Sequence, residues 1–79
     1  MSKKSDLSEV VLKYMQTLYE ETNKGQRTAD QYSIGSTVGL DLSSTDALIN
    51  FLKGKGYVET LGLGGDIRIT QAGIMLLNS

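Results

Sequence analysis

The sequence predicts an α+β, mostly helical fold: three helices, then a β-hairpin and a short final helix. Two patterns predict it. Apolar residues recur every three or four positions through the first third of the chain and again after Ser43. Past Tyr57 the period shortens to two on either side of a glycine cluster. The chain has 79 residues, and a chain this short buries only about 60% of its unfolded surface. One domain over residues 1–79 is therefore expected.

The first helix rests on the clearest signal. Leu7, Val10, Val11, Tyr14, Met15, Leu18 and Tyr19 form one stripe, with Glu9, Lys13, Gln16 and Glu20 opposite. Asp6 and Glu9 have the spacing of a capping box, and Asn23-Lys24-Gly25 supplies a stop. The predicted span is about 6–23. Arg27-Thr28-Ala29 is too short to assign from periodicity. A short second helix is expected over about 30–38, where Tyr32, Ile34 and Val38 are available for burial, with Gly39 as its left-handed end.

The third helix is placed at 43–54, capped by Ser43 or Ser44, with Asp46 as the acid of a Ser43-x-x-Asp46 box. Ala47, Leu48, Ile49, Phe51 and Leu52 make a wide apolar arc, and Phe51 is expected in the core rather than outside beside Ala47. Ser43, Asp46, Asn50 and Lys53 line a narrow polar stripe. YVETL and IRIT then read as two strands of a hairpin over 57–70, turning through GLGGD. Thr70 is positioned to cap a last helix from Gln71 to Leu77.

Composition excludes more than it assigns. There is no cysteine and no histidine, so disulfides, thiolate metal sites and imidazole catalysis are out. The acids are scattered singly. No enzyme activity, catalytic residue, metal or cofactor is expected. Gly62, Gly64 and Gly65 lack the spacing and the following Lys-Ser/Thr of a phosphate-binding loop, so they read as a turn. No apolar run reaches the ~18 residues of a membrane span, and MSKKSDLSE lacks an apolar segment behind its lysines. A soluble, cytoplasmic protein without membrane contact is the expectation. Net charge is −1 and the isoelectric point is near 5.2, whereas a strongly basic domain would have a value above about 9.

Three stretches resemble winged helix-turn-helix domains: VGLDLSST before the third helix, LINFLKGKGYVE leaving it, and IRITQAG running from the second hairpin strand into the last helix. The resemblance covers about residues 7–77. It implies a three-helix body with a C-terminal hairpin as the wing, and a transcription-regulator type of protein binding double-stranded DNA. Helix 43–54 would then enter the major groove. Carried onto this chain, the implied contacts are Leu42, Ser43, Ser44, Asp46, Ala47, Asn50 and Lys53 on the helix, with Lys55 after it. Residues Thr60 to Asp66 and Arg68 would serve in the wing. Asn50 suits an adenine edge, and Asp46 could accept from a cytosine amino group. Ser43, Ser44, Lys53, Lys55 and Arg68 suit phosphates.

The chain departs from the family's pattern in two respects. The wing tip carries no cation, and Asp46 and Ala47 stand where a base-reading arginine is common. A second reading follows, a protein-interaction module that keeps the fold without binding DNA. In that reading Leu61 and Leu63 at the wing tip touch a partner, the alternative being a fold-back onto the body. The apolar run Ile74-Met75-Leu76-Leu77 exceeds what a seven-residue helix buries alone, so a homodimer through the terminal helices is also considered.

Overall fold

The computed structural model describes residues 7–62 and 64–79. Its elements run α1 (Glu9–Glu21), β1 (Ala29–Asp30), α2 (Gln31–Thr37), α3 (Leu42–Lys55), β2 (Val58–Leu61), β3 (Asp66–Ile69) and α4 (Gln71–Leu77). Among the described residues this is an α+β arrangement of four helices and one three-stranded antiparallel sheet, ordered β1-β3-β2. The hairpin register pairs Glu59 with Arg68 and Thr60 with Ile67.

α1 begins three residues later than the periodicity suggests. Ser8 is its cap and accepts from the Val11 amide; Asp6 lies outside the described residues. The expected stop holds, with Asn23, Lys24 and Gly25 all at positive φ. Tyr14, Met15 and Leu18 are fully buried. The unassigned stretch before α2 contains β1, which pairs Ala29 with Ile67 and Asp30 with Asp66. Two residues carry no period, so only the partner strand could reveal them.

α2 and α3 pack unusually close. A Cβ on Gly35 would collide with the Thr45 hydroxyl, so glycine here allows two helix backbones to approach. Thr45 is buried, and its hydroxyl donates to the Asp41 carbonyl at 2.8 Å. Gly39 has φ +86 and ends the α2 segment as expected. Leu40 turns back, its amide donating to the Gly35 carbonyl at 2.8 Å.

α3 corrects two expectations. Its cap is Asp41, not Ser43 or Ser44: the Asp41 carboxylate accepts from the Ser44 amide at 2.7 Å. The helix therefore starts one residue earlier, and Asp46 sits beyond the capping positions. At the other end Gly54 lies within the helix, and Gly56 terminates it at φ +78. The second correction concerns Phe51, which is 41% exposed. The inward stripe of α3 is Thr45, Leu48, Ile49 and Leu52. At about 100° per residue, Phe51 falls roughly 60° outside that stripe.

The core joins that stripe to Tyr14, Met15 and Leu18 of α1, Ile34 of α2, Val58, Ile67 and Ile69 of the sheet, and Leu76 and Leu77 of α4. Strand alternation is as expected: Ile67 and Ile69 face in, Arg68 lies at the surface. Thr70 caps α4, accepting from the Gly73 amide at 3.2 Å. Its hydroxyl also donates to the Gly56 carbonyl at 2.6 Å. That single side chain pins the base of the hairpin to the end of α3. No helix among the described residues is long and apolar enough to cross a membrane.

Candidate nucleic-acid interface

Because α3 is buried along only one stripe, most of its circumference is solvent. Leu42, Ser43, Ser44, Asp46, Ala47, Asn50, Phe51, Lys53 and Lys55 are all exposed. The polar stripe read from the sequence is therefore an outer surface, and it is broader and less polar than the four-residue spacing implied. Ala47, Asn50 and Phe51 occupy its centre. Lys53 and Lys55 lie in its last turn, where they oppose the negative end of the helix dipole.

Asp46 has a definite partner. Its carboxylate accepts from the Tyr32 hydroxyl at 2.6 Å. The hydrogen bond to Asp46 pushes the Tyr32 phenol above its ordinary pKa. The pair ties α2 to α3 at the edge of the exposed face. The sequence offers Tyr32 for burial; it is 36% exposed instead, with its hydroxyl spent on α3. Nothing in local periodicity joins residues 14 positions apart, so this pairing was not legible in the sequence.

Two of the cations have partners of their own. Arg68 is held by Glu59 directly across the hairpin: Nε donates to Oε1 at 3.0 Å and Nη2 donates to the same oxygen. It is the single ion pair among the described residues, and its two side chains are nearly half exposed, so it adds about 0–1 kcal/mol of stability. Its guanidinium is partly neutralised for any phosphate. Lys55 reaches back over the Phe51 ring, with Nζ 5.8 Å from the centroid. That keeps an ammonium beside an exposed aromatic, a favourable cation–π geometry.

The hairpin is fixed to the helical body at its tip. The Gln31 amide and side-chain Nε2 both donate to the Gly65 carbonyl, at 3.1 and 3.2 Å. The Gln31 carbonyl in turn accepts from the Tyr14 hydroxyl at 2.7 Å. Burial pushes the Tyr14 phenol well above its ordinary pKa of 10.0, and Asp30 adds to the shift. The first residues of α2 thus serve two ends of the face: Gln31 holds the hairpin and Tyr32 holds α3. Leu61 is half-buried, which fits a position at the edge of the body. Leu63 lies outside the described residues.

No group of three or more Asp and Glu suited to a metal exists among the described residues. Compared with protein-family models, with curated proteins and with solved structures, the chain matches none.

Proposed function

We propose that this chain is a winged helix-turn-helix module that binds double-stranded DNA, with α3 in the major groove and the β2–β3 hairpin as its wing. The role proposed is recognition, as in a cytoplasmic transcription regulator, rather than catalysis. One observation carries the reading. α3 is anchored by Thr45, Leu48, Ile49 and Leu52 and leaves its opposite face uncovered from Ser43 to Lys53. An α-helix about 10–12 Å across fits the roughly 12 Å width of the major groove. The order of elements, helix–turn–helix followed by a hairpin against the third helix, fits the same reading.

Within it, Ser43 and Ser44 meet phosphate at the helix start, Asn50 and Ala47 meet base edges, and Lys53 and Lys55 neutralise the backbone. Asp46 is a positioning residue held by Tyr32, and Arg68 contributes weakly because Glu59 holds it. Two or three neutralised phosphates set a modest affinity. Fluorescence anisotropy on a mixed-sequence duplex should give a slope of log K against log salt of about −2 to −3. No association at low salt removes the DNA reading.

The second reading, a protein-interaction module, is favoured by one feature: Phe51 is 41% exposed on α3, one turn from the exposed Ala47. An exposed aromatic beside a small apolar neighbour suits a partner surface. Met75 on α4 is 64% exposed beside a shallow groove lined by Tyr57, Ala72 and Leu76. That is where a homodimer through the terminal helices would form. Sedimentation at micromolar concentration separates monomer from dimer.

A further inference from the structure

The exposed face of α3 has a chemical bias. On a helix with about 100° per residue, Asn50, Ala47 and Phe51 share a sector about 100° wide, and all three are exposed. In the major groove an asparagine amide matches the adenine N6 and N7 positions. Alanine and phenylalanine suit the thymine methyl. The charged groups that read the other base pair are missing from this sector. Guanine is read by Arg or Lys, but Lys53 and Lys55 lie outside this sector, in the last turn of α3. Cytosine is read by a carboxylate, and Asp46 lies about 40° outside this sector, with one carboxylate oxygen engaged by the Tyr32 hydroxyl at 2.6 Å.

We infer that the module prefers A·T base pairs, read in the major groove by Asn50 on adenine with Ala47 and Phe51 against thymine methyl groups. This rests on the DNA-binding reading above and adds the substrate class. Tyr32 belongs to the same device. By engaging one oxygen of Asp46 it holds that carboxylate toward α2, at the edge of the face rather than in the sector of Asn50, Ala47 and Phe51.

Three duplexes of equal length test the inference by anisotropy at one fixed low salt concentration: A·T-rich, G·C-rich, and A·T-rich with uracil replacing thymine. The A·T duplex should bind about tenfold more tightly than the G·C duplex, within the range of one bidentate Asn–adenine pair. Uracil replacement should weaken binding about fourfold for each thymine methyl that the helix touches. Asn50→Ala, an exposed substitution, should bring the A·T to G·C ratio toward one, with an unchanged circular dichroism spectrum showing that the variant folds.

Equal affinity for the A·T and G·C duplexes overturns the inference and leaves DNA binding standing. So does a preference that survives both uracil replacement and Asn50→Ala, since groove shape would then be what is read. No binding to any of the three removes the DNA reading and this inference together.

Discussion

The two sides of α3 obey different rules. Its inner side carries Leu48, Ile49 and Leu52, at 8%, 3% and 0% exposure, and the buried Thr45. Packing there is close, down to the Thr45 hydroxyl that sits where a Gly35 side chain would have been. Its outer side carries Ala47 and Phe51, apolar as well, yet both are exposed. Hydrophobicity alone therefore did not sort this helix. Position around the helix axis relative to α2 and the sheet did.

The contrast can be broken hardest from the inside. Leu52→Ala should cost about 2–5 kcal/mol, because it leaves a cavity in the middle of the core. In a chain of this size such destabilisation lowers the melting temperature by roughly 4–8 °C per kcal/mol. A cost below ~1 kcal/mol would mean that Leu52 is not central to the core. Gly35→Ala comes next, at about 1–3 kcal/mol, since the new methyl must push α2 and α3 apart. Pairing it with Thr45→Ala, which removes the colliding hydroxyl, should recover part of that stability, and a strictly additive double mutant would argue against the close approach.

Tyr14 gives a pH test on the hydrogen bond that seats α2. Its pKa is raised in the folded protein, so its stabilising effect is complete below the unfolded value of 10.0 and is lost as pH climbs above it. Melting temperature should fall through the alkaline range, and Tyr14→Phe should flatten that fall while costing about 1 kcal/mol at neutral pH by removing the bond to the Gln31 carbonyl. Asp41 has the opposite sign. Its carboxylate is held below the ordinary range by the Ser44 amide. Its contribution is present above the unfolded pKa and disappears as pH drops into the acid range, and Asp41→Ala should abolish that acid-side decline. The smallest effect belongs to the outer side. Phe51→Ser should change stability by less than about 0.5 kcal/mol, while weakening whatever binds α3.

Much of this was readable in advance. The steps of three and four from Leu7 to Tyr19 placed α1, and the two-residue alternation around Ile67 and Ile69 placed the hairpin. Thr70 and Gln71 marked α4 to the residue. These are local signals: a helix stripe or a strand alternation follows from the geometry of neighbours along the chain. The same locality explains the misses. Ser43, Ser44 and Asp41 all have capping side chains, and only the path of the turn from Gly39 selects Asp41. β1 has two residues and no period. Of the candidate site, the outward placement of Ser43, Asp46, Asn50 and Lys53 was legible, but the bond from Tyr32 to Asp46 was not.

Composition and periodicity were enough to set the α+β class, the helix stripes, the hairpin and the absence of cysteine and histidine chemistry. Long-range packing had to settle the rest: that Tyr32 engages Asp46, that Glu59 ties up Arg68, that Gln31 holds the hairpin tip, and that Phe51 faces water. Each of these joins residues that are distant along the chain or lie at the margin of a stripe. Their fate depends on which surface arrives opposite them, and that is a property of the assembled core rather than of any local run of residues.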